Sequence, residues 1–375
     1  MAGDWYDIKF LESTVNITAV VKRSFGREPN AAVARDITVS IQQGRLFFEA
    51  AADAPLQIKP LLVYYGILSF ARSLTAAIKN DKLISLEQGH GLKDVGAPNC
   101  IDNLMVSVQR RGTFKEFNDA IAPLSRFNYF ENSMHKSASK PFETVDGLIG
   151  KNISIVDILS RIPSLNKIYF KTYKNHPKSL FIDYHKIYNS STIRVDDPFI
   201  AKTRGQLHQL MTRLRAHYPF LQAWRLDSAQ VAWDSTVLIF YNSVFDHDDL
   251  SEESLIQLQG GSFQAVPWDG LEHSDPVNIL PPMAGGFDKG AYHCAIQPIG
   301  SVTLNEYSLQ FLGVYLLGSL VRYRPQIWQH AISKSVTATS PADDRSLMLV
   351  EKFIDDVLIS FPKLIVNLMD MKNNY

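Results

Sequence analysis

The chain has 375 residues, of which 46% are hydrophobic and 20% are charged, so it can bury a sizeable core without disulfide support. Its 38 basic and 38 acidic side chains cancel, which argues against a general nucleic-acid or membrane-surface binder but leaves room for a local basic patch. Two cysteines, Cys100 and Cys294, are too few for a disulfide framework or a cysteine-rich metal site.

The first residues lack the basic and apolar regions of a secretory signal. The longest uncharged apolar window, 307–321, is short for a bilayer span and is interrupted by Gly, Ser and Gln. We therefore expect a cytoplasmic protein without a membrane association.

The N-terminal part is predicted to combine a β-hairpin with a buried helix. Segments 37–41 and 45–48 flank Gln42-Gln43-Gly44, a pattern typical of a hairpin with a glycine turn. Pro60 opens a long apolar stretch, which predicts a buried helix over 60–80. A loop around His90 and a strand over 104–108 follow.

The middle of the chain is predicted to be richer in strands. Residues 132–142 indicate a polar loop, and 153–163 a short helix that begins at Asn152 or Ser154 and stops at Pro163. Strands are predicted at 179–184, 193–195, 230–233 and 237–241, a helix at 199–217, and loops over 259–290 with one strand near 263–266.

The C-terminal part is predicted to be helical, over 304–321, 325–334, 344–360 and a last piece after Pro362. The expected fold class is α+β, with a predominantly helical core from the N- and C-terminal helices and a β-containing middle. The expected segments are 1–150, 151–300 and 301–375, the last packing on helix 60–80.

Several short segments occur in a fixed order along the chain: 60–78, His90-Gly91-Leu92, Gly112-Thr113-Phe114, Leu320-Val321-Arg322-Tyr323 with Trp328, and 361–368. Together they resemble the YaaC-like family of bacterial proteins. The resemblance spans most of the chain and implies no particular activity. One departure is visible, because Arg324-Pro325-Gln326 stand where the family pattern has acidic residues after the Arg-Tyr pair.

Arg324 and His330 are the sharpest candidates for catalysis. An Arg followed at this spacing by a His on a helix resembles the motif of HEPN ribonucleases, in which dimers bring two such helices together. His would move a proton and Arg would stabilise phosphate charge. The alternative is structural: Arg322 and Arg324 cap the preceding helix and pair with acids, while Trp328 packs.

His90 and Arg322 are candidate binding residues. The flanking glycines of His90 allow a ligand to approach the backbone closely, and a loop histidine can exchange protons. A turn histidine without a functional partner is the alternative interpretation.

Lys167, Lys171, Lys174 and Lys178 would form one basic stripe on a helix, interleaved with aromatic residues. Such a stripe suits a nucleic-acid backbone, and a solvated lysine face is the alternative.

We predict no metal and no cofactor. The ligand atoms of Asp246-His247-Asp248-Asp249 diverge, and a helix N-terminus rich in acids explains this run better.

The expected function is a non-catalytic binding or scaffold subunit, with a protein partner or as a homo-oligomer, and phage defence is one expected setting. A metal-independent HEPN-like ribonuclease is the alternative.

Overall fold

The structure, a computed structural model, describes residues 5–96, 98–187, 190–243, 262–264, 277–284, 293–333 and 343–369. The chain divides into two compact units. The helical unit comprises Met1–Leu124, Phe142–Tyr173 and Pro298–Tyr375, and the sheet unit comprises Ser125–Pro141 and Lys174–Gln297. The three-part division of the sequence at 150 and 300 stays a prediction.

Helices and strands are interspersed along the described part of the chain. The helices are α1 (Tyr6–Leu11), α2 (Thr14–Phe25), α3 (Ala31–Asp53), α4 (Lys59–Lys79), α5 (Thr113–Ile121), α6 (Ile155–Leu159), α7 (Asn166–Tyr173), α8 (Arg204–His217), α9 (Glu306–Tyr323), α10 (Pro325–Ile332) and α11 (Asp343–Met369). The strands are β1 (Leu92–Val95), β2 (Met105–Val108), β3 (Arg126–Glu131), β4 (Met134–Ser139), β5 (Asn152–Ser154), β6 (Ser179–Ile187), β7 (Ser190–Asp197), β8 (Arg225–Val231), β9 (Thr236–Ser243), β10 (Ser262–Gln264), β11 (Met283–Ala284) and β12 (His293–Ile296). The predicted α+β class is confirmed.

α3 and α4 form the centre of the helical unit, and they approach closely at two glycines. A Cβ atom on Gly44 would lie 2.6 Å from the Phe70 ring, and one on Gly66 would lie 2.3 Å from the Phe48 ring. The hairpin predicted over 37–48 is therefore wrong. Gly44 is a packing glycine inside a helix rather than a turn, because Ile37, Ile41 and Phe48 recur with the period of a helix and are buried.

α4 is the one described helix that is long and apolar enough to cross a membrane, and 67% of its apolar window is buried inside the protein. It packs against α3, α5 and α9. α9 approaches it at Gly318, whose added Cβ would lie 3.1 Å from Cβ of Tyr64. These contacts are those of a core helix.

α11 continues through Pro362, so the predicted break there is wrong. Val357 and Phe361 before the proline and Leu364 and Ile365 beyond it are all buried. Their packing outweighs the cost of a proline inside a helix, about 3 kcal/mol.

The sheet unit is built on a mostly antiparallel sheet in the order β10-β8-β9-β7-β6-β12-β11, with β3 parallel to β6 and β4 beside β3. α8 covers one face, and its predicted apolar face is buried at Leu207, Leu210, Met211 and Leu214. The strands predicted around 179–184, 193–195 and 237–241 correspond to β6, β7 and β9. The strand predicted at 230–233 overlaps β8 only at Gln230 and Val231, because β8 begins at Arg225 and ends before Ala232.

The polar loop predicted over 132–142 is wrong, because this segment contains β4. Asn132 and Ser133 have positive φ angles of 49° and 66° and make a tight turn that pairs β4 with β3. β4 is polar since its side chains are largely exposed. The strand predicted near 263–266 corresponds to β10, and most of 259–290 lies outside the described residues.

Candidate functional site

The four lysines do not form one helical stripe, so that prediction is wrong. Lys167 and Lys171 lie on α7, which ends at Tyr173, and Lys174 follows in a left-handed conformation with φ of 57°. Lys178 belongs to the sheet unit and precedes β6. Pro177 disfavours a helical conformation at His176, so the helix has no continuation to Lys178.

Arg324 lies between α9 and α10 and is held by β1. Its Nη1 donates to Oδ2 of Asp94 at 2.5 Å, and its Nη2 donates to the carbonyl of Gly96 at 3.4 Å. Ser319 on α9 donates to the same Asp94 oxygen at 2.9 Å. Arg324 therefore sits in an ion pair that connects the end of α9 to β1, a strand of the three-stranded sheet β1-β2-β5 in the helical unit.

His330 lies on the exposed surface of α10. α10 is anchored by Trp328, which is 2% exposed and donates from Nε1 to the carbonyl of Leu56 at 3.2 Å. Pro325 occupies the first turn of α10, as its fixed φ favours. Arg324 is paired with an acid and Trp328 is buried, as in the structural alternative, whereas among the described residues Arg322 contacts Tyr65 and Tyr323 rather than an acid.

The backbone around His90 is fixed by contact between two glycines. Gly91 and Gly112 have φ angles of 75° and 130°, and a Cβ on Gly112 would lie 2.2 Å from the backbone of Gly91. Such angles and such an approach favour glycine at both positions. The loop that carries His90 therefore packs backbone to backbone on the segment that begins α5.

The first turn of α5 completes this fixation. The amides of Thr113 and Phe114 donate to the carbonyls of Gly89 and His90 at 2.8 and 3.1 Å. Helix N-termini have amide groups without partners inside the helix, so the loop supplies the acceptors that α5 needs. The His90 ring is thus carried by a loop that backbone hydrogen bonds attach to α5.

The ring of His90 contacts a buried tyrosine. Its Nδ1 lies 2.6 Å from the hydroxyl of Tyr64, a residue of α4 that is 5% exposed. Burial raises the pKa of Tyr64 well above its usual value. Burial, together with the positive charge of Arg322, lowers the pKa of His90. His90 is therefore neutral at pH 7 and Tyr64 keeps its proton.

Arg322 lies near the end of α9, on the exposed side of these residues. Its Nη1 donates to the hydroxyl oxygen of Tyr65 at 3.3 Å, and its guanidinium lies 5.0 Å from the ring centroid of Tyr323. Tyr315 closes the group, because its ring centroid lies 5.7 Å from that of Tyr64 and its hydroxyl donates to the carbonyl of Leu92. The His90 cluster is defined as Tyr64, Tyr65, His90, Tyr315, Arg322 and Tyr323.

The structure thus brings His90, Arg322 and Arg324 to adjoining parts of the helical unit. The predictions from sequence missed the residues that connect them: Tyr64, Tyr65, Asp94, Tyr315 and Ser319. The available signal was the pair of tyrosines in an otherwise apolar helix, since a buried phenol usually needs a hydrogen-bond partner.

The His90 cluster has the chemistry of a polar recognition site with aromatic walls. It presents a guanidinium, a neutral imidazole and a phenol hydroxyl beside the exposed ring of Tyr323. The described residues include no group of three metal-ligating side chains, and Asp246–Asp249 lie outside them. Arg322, His90 and the phenols are suited to binding an anionic or polar group.

The family model described as YaaC-like protein matches residues 9–369. No curated protein and no solved structure matched the chain. The family match agrees with the resemblance of the short segments, and it brings no substrate, partner or reaction.

Proposed function

Because the chain belongs to the YaaC-like family, which brings no reaction with it, we propose from the side-chain geometry that the protein is a non-catalytic binding or scaffold subunit of a bacterial cytoplasmic complex. Its partner is another protein or a second copy of the chain. Phage defence as the setting stays a prediction from the sequence alone.

The observation that supports this proposal is the engagement of Arg324. Asp94 neutralises its charge, and the two side chains are 25% and 12% exposed. An arginine that must stabilise a phosphate in a reaction needs its charge available at the reacting atoms. Arg324 serves instead to tie α9 to β1.

The exposed side of the His90 cluster supports the binding role. Tyr323 is 65% exposed, and Arg322 is exposed beside it. Tyrosine and arginine are enriched among the residues that contribute most to protein–protein binding. We therefore place the partner at the face that carries Arg322 and Tyr323.

Photo-crosslinking tests this placement. Benzoylphenylalanine replaces Tyr323 in one protein and Tyr6, which is 80% exposed on α1, in a matched control. Irradiation in the native bacterial cells should yield one discrete adduct from position 323 and none of that mass from position 6. The adduct mass and light scattering of the pure protein distinguish a second copy from a different protein. Absence of an adduct at 323, or the same adduct at both positions, would contradict the proposal.

The alternative, an HEPN-like ribonuclease that uses Arg324 and His330, has a direct test. Purified protein and the His330→Ala variant are incubated with single-stranded and structured RNA in EDTA. We expect no cleavage by either protein, since Arg324 is paired with Asp94. Metal-independent cleavage by the unmodified protein that disappears in the variant would refute the non-catalytic proposal.

A further inference from the structure

We propose that Arg322 and His90 together bind an oxyanion, a phosphate or carboxylate group, with the Tyr65 hydroxyl as a third polar contact. This inference rests on the proposed binding function and names the chemistry that the His90 cluster recognises. Its support comes from the local charge, from the hydrogen-bonding state of His90 and from the way the three groups are held.

The local charge favours an anion. Among the described residues, Arg322 has no carboxylate within ion-pair distance, whereas Arg324 is paired with Asp94. The charges of Arg324 and Asp94 balance each other and His90 is neutral, so of these four residues Arg322 carries an uncompensated positive charge. Its planar guanidinium matches the geometry of carboxylate and phosphate oxygens.

The state of His90 adds a second donor. The buried hydroxyl of Tyr64 needs an acceptor, and within the described part of the chain its partner is Nδ1 of His90 at 2.6 Å. Tyr64 therefore donates to Nδ1, and a neutral ring that accepts at Nδ1 carries its proton on Nε2. The Nε2–H group is a hydrogen-bond donor, which an oxyanion accepts.

The donors are positioned before a ligand arrives. The contact of Gly91 with Gly112 fixes the backbone of His90, and Tyr64 fixes the orientation of its ring. The hydroxyl of Tyr65 accepts from Arg322 at 3.3 Å and so restrains the guanidinium. Side chains that are already ordered lose less conformational entropy on binding, which favours affinity.

Calorimetry with three probes tests the inference: inorganic phosphate, phenyl phosphate and acetate. The full chain and the variants Arg322→Gln, His90→Gln and Arg35→Gln are compared. Arg35 is an exposed arginine of α3 and controls for nonspecific attraction. We expect saturable binding of at least one probe, weakened about tenfold or more in Arg322→Gln and His90→Gln and unchanged in Arg35→Gln.

The probes also identify the source of the oxyanion. Preference for the two phosphates indicates a phosphorylated ligand, and preference for acetate indicates a carboxylate. Absence of saturable binding up to about 10 mM, or equal binding by Arg322→Gln, would overturn the inference. Circular dichroism confirms that each variant is folded, and Arg322→Lys, which keeps the charge but not the planar fork, should retain part of the affinity.

Nitrogen-15 spectra of His90 provide a measurement that does not depend on the ligand. Selectively labelled protein should show the proton on Nε2, whereas Tyr64→Phe should shift His90 toward a mixture of tautomers. A proton on Nδ1 in the unmodified protein would overturn the donor assignment. If no probe binds while crosslinking at position 323 succeeds, the oxyanion site fails and the binding function stands.

Discussion

His90 shows how neighbouring groups decide the chemistry of a single side chain. Its loop position suggests an ordinary surface histidine, with a pKa near 6.5. Burial and the charge of Arg322 instead lower the pKa of its ring. Neighbouring groups likewise distinguish Arg322 from Arg324, which is two residues away. Of the two, only Arg324 has a carboxylate partner among the described residues.

The lowered pKa of His90 makes the stability of the protein depend on pH. Above about pH 7.5, one unit above its ordinary pKa, the histidine is neutral in both the folded and the unfolded state. As the pH falls below that value, the unfolded chain takes up a proton before the folded protein does, so unfolding becomes more favourable. His176, His217 and His293 also have lowered pKa values and act in the same direction.

We therefore expect the free energy of unfolding to decrease from pH 7.5 to pH 5.5, and to decrease less in His90→Gln than in the unmodified protein. Urea denaturation at several pH values measures both curves. If the free energy of unfolding of His90→Gln falls with pH as steeply as that of the unmodified protein, the pKa of His90 is not lowered by folding and the prediction is wrong.

At the scale of elements, the contact of α3 with α4 decides the local structure of residues 37–48. The residues flanking Gly44 have strong strand character when taken alone. In the structure the segment is helical and buries Ile37, Ile41 and Phe48, and Phe48 packs on Phe70 of α4. Tertiary packing therefore overrides the local preference of the segment.

Gly66→Ala tests this contact. Alanine favours a helix by about 1 kcal/mol over glycine, yet its Cβ would lie 2.3 Å from the Phe48 ring. Because overpacking a core costs about 1–3 kcal/mol, we expect a net loss of stability in urea denaturation.

The matched control is Gly205→Ala in α8, where an added Cβ meets nothing within 4 Å. This variant should be neutral or more stable by up to about 1 kcal/mol. Equal effects at positions 66 and 205 would contradict the close packing of α3 on α4.

At the scale of the whole molecule, each unit has a core of its own. Phe311 on α9 is fully buried in the helical unit, among Tyr64, Phe114 and Phe117. Trp224 is fully buried in the sheet unit, where its ring lies 6.1 Å from that of Tyr184. Each core can therefore be weakened separately.

Phe311→Ala and Trp224→Ala should each cost about 3–5 kcal/mol of stability. In hydrogen exchange followed by mass spectrometry, we expect Phe311→Ala to accelerate exchange in α4 and α9, and Trp224→Ala to accelerate it in β6, β7 and β9. Equal acceleration in both units by either variant would show that they unfold as one cooperative body.

Elements with one strong local signal were predictable from the sequence. Pro60 and the apolar run after it predicted α4, and α8 was predicted with its buried face. Ser154 predicted the start of α6, but the helix ends at Leu159, before the predicted stop at Pro163. The wrong predictions at 37–48 and at Pro362 arose because glycine and proline can either end a helix or lie inside one. Gly44 and Pro362 commonly break helices, but packing on both sides of each keeps α3 and α11 continuous.

The sequence by itself determined the fold class, the family segments and three of the residues that adjoin in the helical unit, His90, Arg322 and Arg324. Only the tertiary structure decided that Asp94 pairs with Arg324, that the Tyr64 hydroxyl hydrogen-bonds to Nδ1 of His90 and that Arg322 lies against the hydroxyl of Tyr65. Helices and strands can be predicted from the sequence because the backbone period and the steric preferences that define them involve residues close together in the chain. These three side-chain contacts, in contrast, join residues that are 26 to 257 positions apart in the chain, and folding alone brings them together.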